Sequence, residues 1–169
     1  MADFNIRPAT LADAEALGEL GALLVRSHHE FDPQRFMRPL PGIEQGYGRF
    51  LTSQLGRDDA IVMVAERDGE VGGYVYATLE DRSWRELRDP CGYIEDIVVR
   101  DTSRRGGVAT LLMNAAMEWL RSRGAPRVLL LSATPNTGAQ ELFSRLGFRR
   151  TCRLAPSTRR AWALKAAGM

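Results

Sequence analysis

Apolar and polar positions repeat with two different periods along this chain, and each change of period marks an element boundary. Phe4-Asn5-Ile6-Arg7 ahead of Pro8 has the alternation of a short strand. Thr10 then opens a helix with Asp13 in its first turn, where a threonine hydroxyl can satisfy an orphan amide. Leu17, Leu20, Leu24 and Val25 keep helical spacing through about Ser27. Over 28–48, the run of Pro33, Pro39, Pro41, Gly42, Gly46 and Gly48 breaks any long element, with a short helix predicted over 43–55. Residues 60–65 and 71–79 read as strands joined by the tight-turn pair Asp68-Gly69. The charged stretch 80–90 reads as a loop or hairpin end. Residues 93–99 form a fourth strand in which Glu95 and Asp96 interrupt an apolar run.

A glycine turn leads into a helix over 108–123, with Leu111, Leu112, Ala115, Met117 and Leu120 on its buried faces and Gly124 as its stop. The unbroken apolar run at 127–132 predicts a fully buried strand. A short helix over 137–146 ends at Gly147, and two last strands are predicted at 148–154 and 158–164. The order β-α-α-β-β-β-α-β-α-β-β contains no repeat or linker. It predicts a single domain over 1–169, a mixed sheet with helices on its faces in a three-layer α/β architecture.

Composition narrows the function. A chain of 169 residues, 44% hydrophobic and 26% charged, can bury a core without disulfide staples and is not a disordered segment. A net charge of +2 gives no ground for nucleic-acid binding, although Lys165 is the only lysine and every other basic side chain is arginine. No stretch approaches the ~20 apolar residues of a membrane span. Residues 1–8 lack the cationic start and apolar run of a signal peptide, so a cytoplasmic location is expected. Cys91 and Cys152 are too few for a disulfide framework. His28-His29-Glu30 with Asp32 does not make a metal site, because adjacent histidines point apart and no second cluster completes the ligand set.

The chemistry concentrates where the fourth strand runs through Arg104-Arg105-Gly106-Gly107 into a long helix. Two glycines let the backbone bend sharply and bring amides close to a ligand. The helix start adds unpaired N–H groups and the positive end of its dipole, and the arginines add charge. The constellation suits a pyrophosphate; a tight turn with solvated arginines would leave the same residues. The spacing is neither a Walker loop nor the Rossmann fingerprint.

These residues resemble a known family. Arg104-Arg105-Gly106-Gly107-Val108-Ala109 is similar to the Gln/Arg-x-x-Gly-x-Gly/Ala motif of the GNAT superfamily of acyl-CoA-dependent N-acetyltransferases. Asn136, Ala139, Leu142, Leu146, Gly147 and Phe148 resemble its second conserved segment, and 93–99 looks like its central strand. The resemblance implies an α/β (α+β) fold with a mixed, mostly antiparallel sheet of about six or seven strands whose fourth and fifth members splay apart. It implies acetyl-CoA as co-substrate and no metal. Amides at Arg105, Gly106, Gly107, Val108, Ala109 and Thr110 would grip the CoA pyrophosphate beside Arg104. The backbone of Ile97, Val98 and Val99 would pair with the pantetheine arm, and an amide near Val98 would polarise the thioester carbonyl. Asn136 and Phe143 would contact the distal pantetheine.

Attack on a thioester needs a neutral amine, and a base answers that need. Strand alternation places Glu95 and Asp96 on opposite faces, and Glu95 is the candidate base or else a solvated carboxylate. The Tyr93-Ile94-Glu95-Asp96 run resembles the strand of polyamine acetyltransferases in which the glutamate position is the base. Phe143 stands where many relatives carry a proton-donating tyrosine. The acid would then be Tyr76, Tyr93 or a water, or the thiolate leaves unaided. By the same resemblance the 28–48 segment covers the acceptor site, so that His29, Glu30, Phe31, Asp32, Arg35 and Phe36, with Asp96, would contact a small-molecule or peptide amine. A monomer or homodimer fits, with no nucleic acid or membrane partner. The alternative is a non-catalytic acyl-CoA-binding domain of the same fold.

Overall fold

Strands added side by side in chain order build most of the sheet, and two crossovers through helices complete it. The computed structural model describes residues 4–104, 106–153 and 159–165, with side chains for 4–104 and 106–151. The elements are β1 (Asn5–Pro8), α1 (Ala14–Phe31), α2 (Ile43–Thr52), β2 (Ala60–Arg67), β3 (Glu70–Glu80) and β4 (Cys91–Val99), then α3 (Val108–Ser122), β5 (Arg127–Ala133), α4 (Thr137–Arg145), β6 (Arg149–Arg153) and β7 (Arg159–Lys165). The sheet order is β1-β2-β3-β4-β5-β7-β6. Only β4 and β5 run parallel, because α3 carries the chain back across the sheet between them.

Alternation on the strands divides the apolar side chains into two layers. Val62, Val64, Tyr74 and Val98 face α1 and α2, where Leu17, Leu20 and Leu51 are fully buried. Val75, Ala77, Ile94 and Leu130 face α3 and α4, meeting Leu112, Met113, Ala116, Leu120 and Phe143. The three-layer α/β architecture and the mostly antiparallel sheet follow the expectation. On α3, however, the buried face runs through Met113 and Ala116, and Leu111 is 42% exposed. Asp68 and Gly69 both take positive φ (54° and 82°), the backbone of a type I′ turn.

The first helix is longer than its apolar spacing suggests. It continues through His28, His29, Glu30 and Phe31, and ends where the Asp32 amide donates to the His28 carbonyl. No proline intervenes before Pro33, and the His28 ring packs edge-on against Phe31 and Phe36, which gives the last turn its own apolar contacts. α1 and α2 approach closely because Gly18 and Gly48 sit at their crossing. A Cβ on either would collide with the facing backbone carbonyl.

At the start of the chain, the Asp13 carboxylate accepts from the Thr10 amide at 2.7 Å and hydroxyl at 3.1 Å. Arg7 binds it with two N–H groups at 2.8 Å and holds Glu66 with a third. The Arg7 hydrogen bonds, set against burial, hold the Asp13 carboxyl down at about 2. A lowered carboxyl stabilises the fold above its unfolded value of about 4, and that stabilisation is lost as pH falls through about 2. Asp13→Asn is therefore expected to lower the unfolding free energy by about 1–3 kcal/mol at pH 7 in urea titrations. The deficit should shrink steadily between pH 4 and pH 2.

Candidate active site

A break in sheet pairing creates the cleft. β4 pairs with β5 only over Gly92–Val128, Tyr93–Leu129 and Ile94–Leu130. Beyond Ile94 the two strands part, while β4 stays paired with β3 as far as Val99. Half of the backbone groups of Ile97, Val98 and Val99 thus point away from β3 into the gap, where no described strand meets them. The side chain of Val98 is buried towards α1 and α2, while Ile97 and Val99 pack against the other layer.

The same stretch carries a β-bulge. Tyr76 is opposite Asp96 and Ala77 is opposite Ile94, so Glu95 is an extra residue in β4. The bulge overturns the expectation that Glu95 and Asp96 face opposite ways. Glu95 Oε1 accepts from the Thr78 hydroxyl at 2.9 Å, and Asp96 Oδ2 accepts from the Tyr74 hydroxyl at 3.0 Å. Tyr74 and Thr78 share one face of β3, so both carboxylates lie on the α1–α2 side of the sheet. Simple alternation fails here because one added residue resets the strand's phase.

Asp96 also accepts from the Tyr47 hydroxyl of α2 at 2.7 Å. Gly21 of α1 makes room for that ring, since a Cβ there would overlap it. Burial first, and then the Asp96 charge, push the phenols of Tyr47 and Tyr74 well above the ordinary tyrosine value. Both remain protonated donors. Burial and the Glu95 charge raise Tyr76 in the same direction, and its hydroxyl donates to Gln54 Oε1 at 3.2 Å.

Glu95 and Asp96 line a cleft of about 270 Å³ together with Tyr93, Ser132, Asn136 and Phe143. Phe143 is 3% exposed and packs against Phe148. Asn136 Oδ1 accepts from the Ala139 amide at 3.2 Å, so this side chain caps α4 as well as facing the cleft. The opposite wall is His28, Phe36, Met37 and Tyr47. His29, Glu30 and Phe31 do not line it. The helical phase of α1 points His28 inward, while His29 Nδ1 lies 3.3 Å from the Phe36 carbonyl and braces the loop from behind. Tyr47, Tyr74 and Thr78 escaped the sequence reading. Their trace was there, in polar side chains at every second position of β3 over 74–78 and in glycines spaced three apart in α1.

At the other end of the open edge, Gly107 takes φ 75° and precedes α3 as its N-cap. No described side chain caps this helix, and Gly106 and Gly107 are exposed, so the first-turn amides of Val108, Ala109 and Thr110 face outward to any anion. Arg104 stands beside them in an exposed ion pair with Asp101 at 2.7 Å. Arg105 lies outside the described residues. A CoA pyrophosphate fits the donor set of this bend. Among the described residues no group of three or more histidine, cysteine or acidic side chains is placed to hold a metal, and no helix is long and apolar enough to cross a membrane.

Residues 19–148 match the acetyltransferase (GNAT) family, and the chain belongs to it. It is 27% identical over 146 residues to the uncharacterized N-acetyltransferase YhfO of Bacillus subtilis, covering 85% of this chain and 89% of that one. It is 26% identical over 152 residues to an N-alpha-acetyltransferase of Sulfurisphaera tokodaii, covering 87% and 81%. The crystal structure of the PaiA N-acetyltransferase of Thermoplasma acidophilum in complex with coenzyme A superposes with a TM-score of 0.76, at 14% identity, over 96% and 98% of the two chains. The protein is thus a GNAT-type N-acetyltransferase that uses acetyl-CoA.

The Asp96 cluster yields a test. Tyr47→Phe and Tyr74→Phe keep the rings and remove one donor each from a carboxylate, and each is expected to cost about 1–2 kcal/mol of unfolding free energy in urea titrations at pH 7.

Proposed function

We propose that this enzyme transfers an acetyl group directly from acetyl-CoA to a primary amine while both substrates are bound. The observation that carries the proposal is the unpaired edge of β4, set between an uncapped helix start at Gly107 and the Glu95 carboxylate. In this reading Gly106, Gly107, Val108, Ala109 and Thr110 hold the pyrophosphate, with Arg104 and Arg105 beside it. The edge groups of Ile97, Val98 and Val99 take up the pantetheine arm as an added strand. An amide near Val98 donates to the thioester oxygen as charge develops there. Asn136 and Phe143 close over the distal arm.

Glu95 removes the proton that makes the amine nucleophilic; a C–N bond forms at the acetyl carbon as its C–S bond breaks. Tyr47 and Tyr74 direct their hydroxyls at Asp96, so they do not supply the proton for the leaving sulfur. A coenzyme A thiolate is stable enough to leave unaided. The adjacent carboxylates of Glu95 and Asp96 favour an acceptor that arrives as an ammonium ion, and His28, Phe36 and Met37 offer its body an apolar wall. A small amine and a peptide N-terminus both satisfy that description. The location proposed for this chemistry is the cytoplasm.

Gly107→Val is expected to weaken acetyl-CoA binding by about 10-fold or more in isothermal titration, because a β-branched residue resists φ 75° and turns the amides away. Unchanged affinity would remove the pyrophosphate assignment. Glu95→Gln is expected to lower turnover about 100-fold at pH 7 and to recover part of it at high pH, where the amine loses its proton without help. Wild-type rates at every pH would clear Glu95 of the role.

A further inference from the structure

Each turnover on an ammonium acceptor leaves one proton over. Two protons leave the nitrogen, one accompanies the thiolate as coenzyme A thiol, and the other must reach solvent. With both substrates seated, the cleft side of Glu95 faces the acceptor. The back of its carboxylate touches Thr78, a residue only 5% exposed. Thr78 Oγ1 lies 2.9 Å from Glu95 Oε1 and 3.0 Å from Glu80 Oε1. Glu80 is two residues further along the same face of β3, where its side chain is 39% exposed.

We propose that Glu95, Thr78 and Glu80 form a proton relay that returns Glu95 to its ionised form after each transfer. The proposal rests on Glu95 as the base. A threonine hydroxyl carries one proton and two lone pairs, so between two carboxylates it can accept from one and donate to the other. When Glu95 is protonated, its O–H bond breaks as a new O–H bond forms at Thr78. The original Thr78 O–H bond breaks as one forms at Glu80, and Glu80 passes the proton to water. One proton moves outward and every atom is otherwise restored.

Arg88 completes the arrangement. Its guanidinium lies 3.7 Å from Glu80 Oε2 and helps to hold the Glu80 side chain beside Thr78. Arg88 is itself only 13% exposed and is fixed by the Asp81 and Asp89 carbonyls, Glu86 and the Cys91 sulfur. The charged stretch over 80–90 thereby acquires a task beyond connecting two strands. Thr78 and Glu80 touch neither substrate, so they are positioning residues acting through Glu95.

The test measures coenzyme A thiol release by the full-length chain, with acetyl-CoA and a panel of primary amines. Thr78→Val keeps the shape and strand preference and removes the hydroxyl. It is expected to lower kcat about 10-fold or more, while the acceptor KM and the acetyl-CoA affinity stay within about twofold. Thr78→Ser restores the hydroxyl and is expected to bring kcat back to within about threefold of wild type. Glu80→Gln, at a half-exposed position that does not threaten folding, is expected to lower kcat in the same way, with Thr78→Val adding little in its background.

A Thr78→Val enzyme with wild-type kcat overturns the relay, as does a loss of kcat matched by a rise in KM or one that serine fails to rescue. If Thr78→Val does not fold, wild-type kcat in Glu80→Gln overturns it alone. A wild-type chain that turns over and depends on Glu95, yet ignores both relay variants, removes the relay and leaves the transferase reading intact. A wild-type chain that releases no thiol with any amine removes both.

Discussion

A backbone amide or carbonyl out of contact with water must have a partner, and beyond Ile94 no described strand meets β4 on its β5 side. The rest of the site follows from that constraint. A sheet interrupted in its interior presents a backbone edge between two apolar layers, and the pantetheine arm proposed above would pair with that edge. The bulge at Glu95 falls at the point where pairing with β5 ends. One local irregularity thus turns two adjacent carboxylates to the same face, beside the point where the strands part.

The α1–α2 layer holds that face in place through unusually close packing. Gly18 and Gly48 allow the helices to touch backbone to backbone, and Gly21 leaves space for the Tyr47 ring, whose hydroxyl reaches Asp96 in β4. The carboxylate charge is thereby tied to the spacing of two helices. Displacing α2 outward would break a charged hydrogen bond as well as apolar contacts, so helix packing and site electrostatics are coupled. The aromatic cluster of His28, Phe31 and Phe36 performs a similar service for the loop over the cleft.

Most of the fold was legible because it rests on patterns that repeat. The apolar, β-prone run of β2, the Asp68-Gly69 turn and the Gly124 stop each carry a local signal strong enough to place an element. The double glycine before α3 marked the turn into that helix by the same local logic. Two features were not legible, for one reason. The added residue in β4 and the continued helix through Phe31 depend on contacts from distant elements, namely Tyr74 and Thr78 across the ladder and Phe36 across the loop. Neither leaves a periodic trace. The first error reversed the predicted direction of one carboxylate. The second exchanged His29 for His28 at the cleft wall.

Three residue pairs are all that join β4 to β5, so the section formed by β5, β7, β6 and α4 is attached to the remainder by a short seam and by the side chains meeting α3. An arm lying in the gap would span both sections and extend the seam along its whole length. Loading with acetyl-CoA would then stiffen the enzyme as well as supply its acyl group, and the empty form would be the one in which the two sections can tilt against each other.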